Sequence, residues 1–168
     1  AIINQKQSIV STTNLEKQNV YNLAEKVVEM AKVVPENQYC GLAESDKIKQ
    51  VSKQEVQKLE ICDTYKPTMS LIEKEVIKLE EIDLDNKEIT NSEGAEIAYS
   101  KNSICLLGSN GLEIEMEKTH SDFIIAVLAG SKDSMEREYD YKSKVFYNEL
   151  GDFEKIGKEV SQNAIKKL

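Results

Sequence analysis

Apolar and polar residues alternate from Ile89 to about Tyr147, with only turn residues breaking the run. In Ala95-Glu96-Ile97-Ala98-Tyr99 the larger apolar groups recur at every second position, which a strand would gather on one face while the other stays wet. Asn110-Gly111 separates Ile104–Leu107 from Leu112–Met116, and this dipeptide is suited to the two positive-φ positions of a tight hairpin turn. Phe123-Ile124-Ile125-Ala126-Val127-Leu128 is too short to span a membrane and rich in β-branched residues, so it reads as a central strand buried on both faces. After a turn at Gly130-Ser131-Lys132-Asp133-Ser134, Met135, Arg137, Tyr139 and Tyr141 alternate with Glu136, Glu138 and Asp140. The pattern predicts an antiparallel meander with one acidic face.

Upstream, the period changes to that of a helix. Val20, Leu23, Ala24, Val27, Val28, Ala31 and Val34 form one apolar stripe that Pro35 terminates, and Thr13 and Glu16 have the spacing of a capping box. Gln7 to Thr12 reads as a short strand whose sheet neighbours the adjoining sequence does not supply. Residues 35–67 are the loosest part, with one or two helical turns offered by Lys53 to Leu59. Beyond Pro67, Thr68 or Ser70 caps a helix that places Ile72, Val76 and Leu79 on one face and ends near Asp83. Asp152 caps a last helix carrying Phe153, Ile156, Gly157, Val160, Ala164 and Leu168.

Composition narrows the functions available. With 168 residues and 40% hydrophobic content the chain can bury a core, and its formal net charge of -8 would repel a phosphate backbone. Direct nucleic-acid binding is therefore disfavoured, and no segment reads as a membrane span or a signal peptide. Cys40, Cys62 and Cys105 are odd in number and widely spaced, which suits reduced thiols in a cytosol. The chain lacks a starting Met and reads as a processed or truncated piece.

The chemical motifs are sparse. A helical zinc protease needs two histidines one turn apart and a glutamate, whereas this sequence has a single histidine, His120, which reads as a partly exposed turn or sheet residue. Glu113, Glu115 and Glu117 share one strand face and read as solvated surface, since a cation site would need further ligands. A nucleophilic pair between His120 and one of the three cysteines is open on spacing alone, because such residues meet only in the fold. Gly108, Gly111 and Gly130 are turn residues; none opens a helix after a strand in phosphate-binding spacing. No catalytic, cofactor-binding or metal residue is assigned.

ITNSEGAEIAYSKNS, then LGSNG, KTHSDFIIAVLAG and the segment from Asp133 to Tyr139 resemble the middle domain of the TldD/PmbA family, the PmbA (TldE) branch most closely. Ser11 to Leu15, the long helix and AKVVPENQYCGLAE are similar to the second half of that family's first domain. The resemblance implies a two-subunit metallopeptidase of the bacterial cytosol, whose members were named as modulators of DNA gyrase and are linked to peptide maturation. In that arrangement a TldD-like partner carries the zinc, and a PmbA-like chain holds no cofactor and pairs with it around a peptide substrate. Full members are longer, and the zinc motif of the TldD branch has no counterpart here, so no catalytic residue is carried over.

The expected fold is α+β: an antiparallel β-meander packed with a few amphipathic helices. Residues 1–62 are expected to form a partial N-terminal segment of strand, long helix and connector, and residues 63–168 a helix, sheet and terminal helix. The expected role is a cytoplasmic, non-catalytic subunit or fragment that scaffolds and encloses peptide substrate. Two alternatives stand beside it: an interaction module or homo-oligomer pairing through a sheet edge, and an independent Cys-His hydrolase.

Overall fold

A computed structural model describes residues 1–84, 86–131 and 134–168. The fold is α+β, as the patterning predicts, with a three-stranded antiparallel meander and several helices. It divides into two compact units, residues 1–50 with 107–112, and residues 51–106 with 113–168.

The first unit starts with a hairpin of β1 (Ile2–Ile3) and β2 (Lys6–Gln7), in which Ile2 faces Gln7 and Ile3 faces Lys6. Asn4 and Gln5 close it, both at positive φ (47° and 63°), the geometry that matches a two-residue turn to strand twist. This corrects the strand expected over Gln7 to Thr12: pairing runs back to Ala1, and the neighbour lies immediately upstream. Helix α1 (Lys17–Val33) follows. The expected capping box does not form, because the local side chains bond elsewhere: Thr12 Oγ1 accepts from the Asn14 amide and Asn14 Oδ1 from the Glu16 amide. The helix ends as expected, since Pro35 drives Val34 into the extended region (φ -75°, ψ 156°). Only Leu23, Val27, Ala31 and Val34 of the stripe are covered, while Val20, Ala24 and Val28 face solvent.

The tip of the long hairpin also belongs to this unit. Asn110 Nδ2 donates to the Ala43 carbonyl (3.0 Å) and Gln50 Nε2 donates to the Gly111 carbonyl (2.7 Å). Of the Asn110-Gly111 pair only Gly111 has a positive φ, 91°, so the expected two-residue turn is replaced by a longer loop. The Gly111 amide bonds the Gly108 carbonyl and the Gly108 amide the Leu112 carbonyl, a turn followed by one left-handed glycine.

In the second unit a short helix α2 (Lys53–Gln57) has a full capping box, Ser52 with Glu55, that the pattern reading had not singled out. Helix α3 (Met69–Leu84) is capped by Thr68, whose Oγ1 accepts from the Leu71 amide. Strands β3 (Ile89–Leu107), β4 (Glu113–Ser131) and β5 (Ser134–Lys144) lie in the order β3-β4-β5, so β4 is the centre. Lys132 and Asp133, part of the turn expected between β4 and β5, lie outside the described residues. Helix α4 (Phe153–Ile165) begins at Asp152, whose carboxylate accepts from the Glu154 and Lys155 amides.

The core lies between one face of this sheet and the helices α3 and α4. Phe123, Ile125, Val127 and Ala129 point into it from β4, Ile89 and Ile97 from β3, Leu79 from α3, and Phe153, Ile156, Val160 and Ala164 from α4. Phe123 meets Phe153 edge to face with centroids 5.6 Å apart. The expectation that β4 is buried on both faces holds at Ala126 but fails at Ile124, which is 45% exposed: within this unit α3 and α4 pack on the opposite face.

A buried polar node fastens the chain to this sheet. Thr119 Oγ1, fully buried, accepts from the Asp63 amide (2.7 Å) and donates to the Val145 carbonyl (3.0 Å). The Thr119 amide in turn donates to the Ile61 carbonyl (3.0 Å). Asp63 Oδ1 accepts from the Tyr65 amide (2.8 Å) and Oδ2 from the Tyr147 amide (2.9 Å). Tyr147 then reaches α3, its hydroxyl donating to the Glu75 carboxylate.

Two predictions follow from this network. Thr119→Val leaves the Asp63 amide and the Val145 carbonyl without their partner and costs about 2 to 4 kcal/mol of stability, whereas Thr119→Ser retains most of it. Urea unfolding, read as a shift in midpoint at constant slope, checks this; equal losses for the two variants would point to the methyl group instead. Burial, and then the hydrogen bond to Glu75, raise the Tyr147 phenol above its ordinary value. A raised value makes its stabilisation complete below the unfolded value, near pH 10, and lost as the pH climbs through the folded one. Tyr147→Phe should therefore lower stability at neutral pH by about 1.5 to 3 kcal/mol and flatten the decline above about pH 10. Parallel alkaline limbs in the two proteins would show that the phenol does not titrate as described.

Candidate functional site

The outward face of the sheet carries most of the chemistry left exposed by the fold. The β5 alternation and its acidic face exist as the sequence indicates, and the acidic face lies on the helix side. Met135, Arg137, Tyr139 and Tyr141 face solvent, while Glu136, Glu138, Asp140 and Lys142 are half-buried on the helix side. The register sets the latter opposite the buried residues of β4, and polar partners meet Glu138 and Lys142 there. Lys167 Nζ lies 2.8 Å from Glu138 Oε2, and Lys142 Nζ donates to the Leu150 carbonyl (2.9 Å). Hydrogen bonding to Lys167, and then to the Tyr139 amide, holds the Glu138 carboxyl below its usual value.

The solvent side is thereby left aromatic. Tyr139 and Tyr141 stack with centroids 6.3 Å apart and planes 14° apart. The Arg137 guanidinium lies 5.2 Å from the Tyr139 centroid, and its Nε is 2.5 Å from Glu93 Oε2 on β3. Ile124, opposite Tyr141 in the register, adds an exposed aliphatic group. Arg137 is charge-balanced by Glu93, so this patch offers apolar and aromatic contact with little net charge. Met135 at 51% exposure and Tyr141 at 67% make its outer rows accessible. The strand spacing in the sequence showed the alternation; the direction it faces depends on the register with β4.

His120 lies on β4, half-exposed, as a sheet residue. Its Nε2 is 3.2 Å from Asp122 Oδ1 and 3.3 Å from Ser143 Oγ, with Ser143 directly opposite Asp122. Serine, histidine and aspartate thus meet, yet not as a hydrolytic relay. A relay needs the hydroxyl on one ring nitrogen and the carboxylate on the other, and here both share Nε2 in open solvent. The cysteines do not join it. Cys40 Sγ bonds Gln7 Oε1, Cys62 Sγ bonds the Asp63 carbonyl, Cys105 is exposed, and all three are free thiols. The Cys-His pair considered from the sequence is therefore not formed.

Glu113, Glu115 and Glu117 are exposed, and Glu117 pairs with Lys101 at 2.9 Å. Among the described residues no group of three His, Cys, Asp or Glu side chains is placed to hold a metal ion. His120 with Asp122 offers two donors, which does not fit a tetrahedral zinc site. Among them, too, no helix is long and apolar enough to cross a membrane.

A second feature is a pocket of about 450 Å³ at the start of α3, with Lys66, Pro67, Met69, Ile72, Ile97 and Tyr99 in its lining. The walls are mostly hydrocarbon. No local pattern points to it, because its two sides, residues 66–72 and 97–99, meet only when α3 packs on β3.

No curated protein matches the chain in sequence. Solved structures do match in fold. A protein from Bacteroides thetaiotaomicron named as a modulator of DNA gyrase superposes with a TM-score of 0.77 at 17% identity, over 99% of this chain and 38% of that one. A protein of the same description from Thermotoga maritima gives 0.71 at 14% identity, over 97% and 35%. TldE from Thermococcus kodakarensis gives 0.67 at 16% identity, over 96% and 35%. The chain thus spans between a third and two fifths of the length of these proteins. Residues 46–168 match the family described as the PmbA/TldA metallopeptidase central domain, and the chain belongs to the TldD/PmbA-like family.

Proposed function

We propose that this chain is a non-catalytic, PmbA (TldE)-like portion of a two-subunit metallopeptidase that acts on peptides in the cytosol. In this reading a TldD-like partner supplies the zinc, and this chain supplies shape and contact surface. Residues 1–62 serve as part of a first domain and residues 63–168 as the middle domain. One observation carries the proposal: the stretch that matches the metallopeptidase central domain contains the sole histidine, and that histidine is committed to Asp122 and Ser143 on an open sheet face. Such a residue contributes surface polarity rather than a metal grip.

The partner's contact is assigned to the outward face around Tyr139, Tyr141, Ile124 and Met135. Aromatic rings with few rotatable bonds give large contact area at small entropic cost, and Tyr and Arg are enriched among residues that dominate interfaces. A homo-oligomer remains the second reading, favoured by the strand order, which leaves β3 and β5 as the edges of the sheet.

Mixing the purified chain with a TldD-like metallopeptidase subunit and following the mass by light scattering tests the proposal. A stable complex is expected, with chelator-sensitive peptide cleavage by the pair and none by this chain alone. The double variant Tyr139→Ala, Tyr141→Ala should weaken association at least tenfold while leaving the circular dichroism spectrum unchanged. Chelator-sensitive cleavage by the isolated chain would overturn the non-catalytic role. Self-association that the same variant abolishes, without binding to the metallopeptidase, would favour the homo-oligomer.

A further inference from the structure

We propose that the pocket beside Lys66 is a binding site for the C-terminal residue of a peptide with an apolar last side chain. The volume, about 450 Å³, falls within the roughly 300 to 1,000 Å³ typical of ligand sites. Pro67, Ile72, Ile97 and Tyr99 give it walls that reward an aliphatic or aromatic group by removing it from water. Met69, 77% exposed, adds an unbranched thioether that can repack around side chains of different shape.

Charge fixes the other end of the ligand. Lys66 lines the pocket, is exposed, and has no ion pair among the described residues. In a chain with a formal net charge of -8, a cation left free beside an apolar hollow is a local inversion of the general field. The α3 start has the same sign. Thr68 occupies the Leu71 and Ile72 amides, while the Met69 and Ser70 amides make no hydrogen bond to preceding carbonyls. An apolar group with a carboxylate one or two bonds from its branch point satisfies both halves. A peptide C-terminus has that form, with the carboxylate at Lys66 and the last side chain between Ile72 and Ile97.

The choice of a peptide over another apolar carboxylate rests on the peptide-handling role proposed above, and its chemistry is tested separately from that role. Isothermal titration of the purified chain with acetyl-Gly-Gly-Leu, with the same peptide as a C-terminal amide, and with octanoate gives the comparison. The free acid is expected to bind at least tenfold more tightly than the amide. Lys66→Gln should bring the acid down to the level of the amide without changing the amide. Met69→Ala, which removes a thioether from the lining, should weaken binding of both peptides. Thermal unfolding of each variant verifies the fold, and both positions lie outside the buried core. Equal binding of acid and amide, absence of binding, or indifference to Met69→Ala would overturn the site. Octanoate binding more tightly than the peptide acid would overturn the peptide assignment. Because no second subunit is present, a failure here is distinct from a failure of the chain to join a metallopeptidase.

Discussion

The hydroxyl of Thr119 and the carboxylate of Asp63 hold together the parts that everything else in the second unit needs. Between them they satisfy the amides of Asp63, Tyr65 and Tyr147 and the carbonyl of Val145, all near the point where β4 enters the core. Buried polar groups of this kind are costly when half-satisfied, so the node is close to all-or-none. Once formed, it sets the path of the connector before α3 and of the turn after β5. Tyr147 extends the tie to α3 through Glu75, and Leu150 and Phe153 then fall into the core from the same turn. Hydrophobic burial supplies the larger driving force, but it is non-directional; the node selects which loop lies where.

That selection explains the one-sidedness of the sheet. With α3 and α4 packed on one face, the odd-numbered residues of β4 from Phe123 to Ala129 are buried, while on the other face Ile124 is left exposed. A single-sided sheet conventionally turns polar residues outward. Here β5 does the opposite, turning Glu138 toward Lys167 and leaving two tyrosines, an arginine and a methionine outside. On the inner side of β5, Glu138 meets Lys167, Asp140 accepts from the Tyr141 amide and Lys142 donates to the Leu150 carbonyl. The cost of this arrangement is an exposed aromatic surface, which in a protein otherwise so acidic is a feature to be used rather than tolerated.

Periodicity made the long elements readable. The alternation from Ile89 onward gave an antiparallel meander centred on Phe123–Leu128, though as shorter strands than β3 and β4, and the i, i+3, i+4 spacing gave α1, α3 and α4 with their inward residues Leu79, Val160 and Ala164. Local rules failed where several short polar residues compete for the same groups. Thr13 and Glu16 satisfied the spacing of a capping box, yet Thr12 and Asn14 reached the amides first. Asn110-Gly111 had the composition of a two-residue turn, but Asn110 is drawn to the Ala43 carbonyl, and the two-residue turn occurs at Asn4-Gln5 instead. Facing direction was hidden for a different reason. Whether Glu138 or Tyr139 points inward is decided by the register of β5 on β4, which sets Glu138 opposite the buried Val127, and whether a pocket exists beside Lys66 is decided by α3 meeting β3; neither is a property of any short window.

The chemistry of the chain argues in the same direction as its shape. Acid–base catalysis needs groups whose environment moves them toward the operating pH, and nucleophilic catalysis needs a nucleophile and base in directed contact. The clear shifts here belong to Tyr147, locked into a structural hydrogen bond, and to Glu138, Lys101 and Lys158, each held in its charged form by an opposite charge. All four shifts push a group further from neutrality, so they stabilise a resting charge state and do not poise a proton for transfer. His120 stands in solvent with both neighbours on one nitrogen. What the fold does present outward is area: a stacked aromatic face on the sheet and an apolar hollow beside a free cation. Surfaces of that composition act by holding, which is the role proposed above for this chain.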